Sequence, residues 1–206
     1  MTKLTLATSS TLFLILTACS TESPKSAVPK KAEEPAKPVS GMTALYRMYQ
    51  PARAWAPDIQ VLTLKSLNVE GVAPERGKAG AWEATFVSPG KGRARGWTYS
   101  VVEGPGNLHK GPFAGMEEAW SGSRGQAKPF LIAAVKTDTD AAYQTALKKA
   151  AEYEKKNPNK PIQFLLEYTG RHPDPAWRVL WGESIGTSNF SVLVDATTGN
   201  YLETLR

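Results

Sequence analysis

From about residue 137 onward, apolar residues recur first at helical and then at strand spacing. Tyr143, Leu147, Ala150 and Tyr153 lie three or four residues apart with Ala146 beside them, so one stripe of a helix is apolar. Thr137-Asp138-Thr139-Asp140 offers cap-type side chains for its first turn, Lys155 and Lys156 suit its negative end, and Asn157-Pro158 stops it. Three alternating runs follow: Ile162, Phe164, Leu166 and Tyr168; Trp177, Val179 and Trp181; Phe190, Val192 and Val194. Alternation at period two predicts antiparallel strands with one buried face. Asp195-Ala-Thr-Thr-Gly199-Asn200 predicts a turn in which Asp195 bonds its own following backbone and Gly199 takes positive φ, before a short last strand over residues 201–205.

The earlier part of the chain carries a fainter version of the same order. Leu45, Met48 and Tyr49 share a face of a helix over residues 43–55, which Pro51 is expected to kink or end. Strands are expected over residues 59–69, 82–87 and 97–102, with an irregular crossover over 104–126 and an additional strand over 130–135. Several segments recur in order: Ile59-Gln60-Val61-Leu62 as Ile162-Gln163-Phe164-Leu165, and Ala81-Trp82-Glu83-Ala84 as Ala176-Trp177-Arg178-Val179. Trp97-Thr98-Tyr99-Ser100-Val101 is echoed by Phe190-Ser191-Val192, and Val102-Glu103 with Gly106-Asn107 by Val194-Asp195 with Gly199-Asn200. The expectation is an α+β fold of two related units in tandem, each a helix packed on an antiparallel β-meander. The first spans residues 42–128 and the second 129–206.

The N-terminal segment changes the picture most. Lys3 gives a positive start and residues 4–18 run without charge, too short for a bilayer span but of secretory length. The run closes in Leu16-Thr17-Ala18-Cys19, which resembles the bacterial lipobox. That resemblance implies a signal peptide over residues 1–18, cleavage, and a diacylglyceryl thioether plus acyl chains such as palmitate on Cys19. Two or three chains hold a protein on a membrane durably. Cys19 is the only cysteine, so no internal disulfide is available and the fold rests on its core.

Residues 20–40, rich in Pro, Ala, Lys, Glu and Ser without apolar period, are expected to form a disordered tether. Together with Cys19 it fills residues 19–41 and, as a coil, reaches on the order of 25 Å. The net charge of +6 is modest and spread out; it favours an anionic surface weakly and gives no indication of nucleic acid. Ser20 after the cysteine does not resemble the aspartate signal that retains lipoproteins in an inner membrane, so an outer membrane facing the periplasm is favoured in an organism that has one.

Pro175-Ala176-Trp177-Arg178-Val179, then Val192-Leu193-Val194-Asp195-Ala196-Thr197-Thr198-Gly199-Asn200-Tyr201-Leu202, resemble the PepSY and PepSY-like families. The resemblance implies a small protein-binding or peptidase-regulating module with no catalytic residues and no cofactor. In the first unit Glu103 stands for the family's aspartate and Pro105 crowds the turn.

Chemistry-bearing residues are few. His109 and His172, both beside loop residues, are the candidate bases of a competing reading as a hydrolase. Two separate histidines without a free thiol do not make a zinc site, and Asp138 and Asp140 lack the glycine and distal glutamate of a calcium loop, so no metal is expected. Lys91, Arg93 and Arg95, among glycines, form the densest cationic cluster and are candidate contacts for lipid headgroups or an acidic partner. Trp82, Trp97, Trp177 and Trp181 at alternating positions are expected in the core. Trp120, in the glycine-rich crossover, is the candidate exposed contact. A third reading, capture of a small apolar ligand between helix and sheet, requires an internal cavity.

Overall fold

A computed structural model describes residues 35–206 except 107, 124–126 and 185, and the signal peptide, Cys19 and most of the expected tether lie outside the described residues. In chain order the elements are β1 (Val39–Ser40), α1 (Gly41–Trp55), β2 (Gln60–Leu67), β3 (Lys78–Ala79), β4 (Ala81–Ser88), β5 (Arg93–Ser100), β6 (Gly111–Ala119), α2 (Thr139–Lys156), β7 (Ile162–Glu167), β8 (Ala176–Trp181), β9 (Ser191–Asp195) and β10 (Tyr201–Leu205). The fold is α+β. Eight strands make one antiparallel sheet in the order β10-β9-β8-β7-β2-β4-β5-β6, and β1 pairs separately with β3. Residues 35–206 form one compact unit, so the segments on either side of residue 128 meet in a single sheet through β2 and β7.

Period-two alternation propagates across the whole sheet. The rank Ala114, Trp97, Ala84, Leu64, Leu166, Trp177, Val194 and Tyr201 joins all eight strands through successive register pairs. Six of these eight belong to one core cluster with Leu45 and Met48 of α1 and Tyr143 and Ala146 of α2. Both helices therefore cover the same face. The adjacent rank, Phe113, Thr98, Glu83, Lys65, Leu165, Arg178, Leu193 and Glu203, points the other way by the alternation of side chains along each strand.

The helices start at a common joint. Trp82 and Trp177 meet edge to face with ring centroids 6.5 Å apart. The Trp82 indole donates to the carbonyl of Val39 at 3.1 Å and that of Trp177 to the carbonyl of Thr137 at 2.8 Å, each one residue before a helix cap. Gly41 opens α1 against both rings; a Cβ there would lie 2.7 Å from Trp177 and 3.2 Å from Trp82. Asp138 caps α2 by accepting from the Thr139 amide at 2.7 Å, and the same oxygen accepts from the Met42 amide of α1 at 2.9 Å. Its other oxygen accepts from the Ser40 hydroxyl at 2.6 Å. Gly77 presses on the first turn of α2, where a Cβ would come 2.3 Å from the Asp140 Cα.

Several expectations are corrected. The stretch over 104–126 is not irregular throughout: Gly111–Ala119 forms the edge strand β6, paired with β5 across a bulge between Arg95 and Trp97. The strand expected over 130–135 is instead one bridge, Phe130 with Val61, and a 3-10 turn at Ile132–Ala134. The first helix runs to Trp55 as expected, with Pro51 inside it. The tether expected to reach residue 40 stops sooner, because Val39 and Ser40 pair with Ala79 and Lys78. α2, the four strands after it and the Asp195 turn fall as expected: Asp195 Oδ1 accepts from the amides of Thr197 and Thr198 at 2.8 Å each, and Gly199 has φ of 76°.

Candidate functional site: the uncovered sheet face

On the face away from the helices, β2 and β4 present the ion pair Lys65–Glu83 at 3.2 Å. Beyond it, toward β10, a depression of about 480 Å³, open to solvent, is lined by Glu167, Arg178, Leu193 and Leu205 from four consecutive strands of the sheet. The β7–β8 loop contributes Thr169, Gly170 and Arg171. Lys128 completes the wall, brought there by its amide, which donates to the Tyr168 carbonyl at 2.6 Å.

The polar groups are individually placed. Arg178 donates from Nε to the Ser191 hydroxyl at 3.0 Å, which fixes the plane of its guanidinium. Glu167 is half-buried, and burial pushes its carboxyl above the ordinary value against the opposing pull of Arg178. Arg171 pairs with Glu203 at 2.6 Å, and His172 shares that carboxylate at 3.0 Å. Leu165 and Leu180 lie in the same face with little exposure. The basin therefore combines cations, one reluctant carboxylate and aliphatic walls.

The residues singled out from sequence are scattered. Lys91 is exposed, its ammonium donating to the Trp55 carbonyl at 2.5 Å at the negative end of α1. Arg95 donates to the Gly115 carbonyl at 2.8 Å and lies over Trp97, and Arg93 is exposed. The three do not converge. Trp120 is half-buried rather than exposed, and its amide donates to the Gly92 carbonyl at 2.9 Å; Met116 is the outstanding exposed apolar residue, at 85 %. Trp82, Trp97, Trp177 and Trp181 are buried. The indole N–H groups of Trp97 and Trp181 have no acceptor among the described residues.

His109 binds Glu103 at 2.6 Å beside β6, and His172 binds Glu203 of β10. These strands are the two opposite edges of the sheet, so the histidines do not share a cleft. The Lys110 amide and His109 hold Glu103 below its ordinary carboxylate range. No group of three or more metal-ligating side chains occurs among the described residues, and no described helix is long and apolar enough to cross a membrane. Arg178 and Glu167 escaped notice in the sequence because each occupies an ordinary polar position of an alternating strand.

No family model matches the chain, and no curated protein matches it. Among solved structures, the chain is similar to an inferred lipoprotein from Clostridium difficile 630, with a TM-score of 0.47 and 9 % identity over 78 % of this chain and 91 % of that one.

Proposed function

We propose that this chain is a lipid-anchored envelope protein, acylated on Cys19, whose folded part is a non-catalytic docking module that presents its uncovered sheet face to a protein partner. The lipobox-like Leu16-Thr17-Ala18-Cys19 supports the anchor. The observation that carries the docking reading is the one-sided build: both helices pack on one face, and the other holds a solvent-open basin rimmed by charge and aliphatic side chains. His109 and His172 each pair with a glutamate at an edge of the sheet and neither lines the basin, which favours this over a hydrolase that uses His109 or His172 as its base. The partner is an envelope protein, a peptidase being the class that the PepSY-like resemblance implies.

The two halves of the sheet are read as diverged copies of one helix-plus-four-strand unit of that PepSY-like kind. Support comes from the order of elements and from Trp82 and Trp177, which occupy corresponding strands and bond corresponding carbonyls.

The test has two parts in the native host. Cys19→Ala is expected to move the protein from the membrane to the soluble fraction. A photo-crosslinking residue at Thr85 or Gln163, on the uncovered face, is expected to capture a protein partner, and one at Gln144, on the outward side of α2, is not. Crosslinks from Gln144 alone would overturn the docking reading.

A further inference from the structure

We propose that the basin over Arg178 recognises a carboxylate flanked by aliphatic side chains, carried on an extended acidic segment of the partner. This rests on the reading of the uncovered face as a docking surface and states what that face selects.

The argument begins with unbalanced charge. Three cations line the basin, Lys128, Arg171 and Arg178, against one carboxyl, Glu167. Arg171 is already satisfied by Glu203. Lys128 lies over the Tyr168 ring, 6.0 Å from its centroid, and has no ion-pair partner among the described residues. Arg178 spends only its Nε, on Ser191, so its two terminal nitrogens keep their donors while the guanidinium plane is held. A guanidinium held in plane is suited to a bidentate carboxylate, with charge-assisted bonds stronger than neutral ones. Glu167 does not fill this role: it stands beyond ion-pair distance from Arg178, and its burial disfavours the charged form. The positive groups are thus left for an anion from outside.

The walls narrow the class of anion. Leu193 neighbours Arg178 in register, and Leu205 lies on the next strand over. Aliphatic surface beside a fixed guanidinium rejects a compact, fully hydrated anion and favours a carboxylate with apolar neighbours. The basin's openness separates a chain from a small molecule. Small-ligand sites enclose most of their ligand, whereas a ligand resting here stays wet on one side. A partner lying along the rank from Lys65 to Glu203 covers the site with its own bulk and excludes water from the charge pair.

The test uses the full chain in detergent micelles with ¹⁵N-labelled arginine, titrated with acetyl-Leu-Glu-Leu-amide and with its glutamine counterpart. The glutamate peptide is expected to shift the Arg178 Nε–H signal and to bind at least tenfold more tightly than the glutamine peptide. Arg178→Gln and, separately, Lys128→Gln are expected to abolish that preference, while Arg178→Lys keeps part of it. Lys128→Gln guards against a folding artefact, because Lys128 lies outside the sheet. Equal binding of the two peptides, or an unmoved Arg178 signal, would overturn the proposal. So would hexanoate alone matching the peptide, since that marks a small-carboxylate site. In the envelope, open-face crosslinks that persist in Lys128→Gln and Arg178→Gln chains would remove the basin and leave the docking face. A lack of crosslinks with the peptide preference intact would do the reverse.

Discussion

In the half of the sheet from β2 to β6, Ser100 ends the third strand, and its hydroxyl accepts one amide, that of Val102 at 3.2 Å. In the half from β7 to β10, Asp195 holds the corresponding position, and one carboxylate oxygen accepts two amides at 2.8 Å each. Register makes the correspondence: Ser100 pairs with Ala81 and Asp195 with Ala176, each beside a buried tryptophan. The helix caps differ in the same direction. Ser40 caps α1 through a 3.4 Å contact with the Thr43 amide, whereas the Asp138 carboxylate caps α2 and also holds Met42 and Ser40 of α1. The first half thus leans on the second for its polar fastenings, while both contribute one tryptophan to the joint. The two positions match in register, with a hydroxyl in one half where the other has a carboxylate.

The largest expected effect comes from that joint. Trp82→Ala and Trp177→Ala should each destabilise by about 3–5 kcal/mol, and the double variant by less than the sum, because the rings touch. Denaturant unfolding of the four proteins of that cycle measures the coupling; strict additivity would mean that the halves stand independently. Next, Asp138→Ala should cost about 2–3 kcal/mol and Ser40→Ala about 1 kcal/mol, since the first strands donors on two helices, whereas the second removes one long cap contact and one bond to a carboxylate that keeps its other donors. Equal losses would remove the dependence of α1 on α2. Smaller again, Asp195→Ala should cost about 1–2 kcal/mol and Ser100→Ala about half that, by the number of amides released.

The smallest effect depends on pH. Because folding raises the Glu167 carboxyl above its ordinary value, the folded state holds that proton more tightly than the unfolded chain does. Stability tied to Glu167 is therefore present below the unfolded value, roughly pH 4.3, and is lost as pH rises through the folded value. Glu167→Gln should raise the thermal midpoint near pH 7 and leave it unchanged well below pH 4. An increase of the same size at both pH values would show that desolvation of the carboxylate is not its source.

The second half was legible because the core-facing residues alternate without a break within each of β7, β8 and β9, and its helix carries both caps and an apolar stripe. The first half was harder to read for identifiable reasons. A bulge in β2 between Val61 and Thr63 breaks its alternation, and another, opposite Arg95 and Trp97, puts an extra residue into β6 between Ala114 and Glu117. The apparent repeat in the sequence is also out of step with the register: it sets Glu103 against Asp195, where the register puts Ser100, and Trp97 against Phe190, although Trp97 pairs with Ala84 as Val192 does with Val179. β6 carries Gly111, Pro112, Gly115, Glu117 and Glu118, the composition of an edge that discourages further pairing, and so resembles a loop in sequence. The basin was invisible for another reason. Glu167, Arg178 and Leu205 come from three strands and Lys128 from a loop tied to Tyr168, and they meet only in the folded sheet, whereas Lys91, Arg93 and Arg95 are close in sequence but diverge, Lys91 to the Trp55 carbonyl, Arg95 to that of Gly115 and Arg93 to solvent.

One consequence concerns mechanical load. The chain enters the fold at Val39, whose carbonyl holds the Trp82 indole, and at Ser40, whose hydroxyl is tied to Asp138. Tension arriving from the N-terminal side is therefore delivered to the middle of the sheet, at the junction of both helices, and not to β6 or β10, where a strand would peel away. The fastening that opposes the pull is shared by residues nearly a hundred positions apart, so stretching this protein loads both halves before either can yield alone.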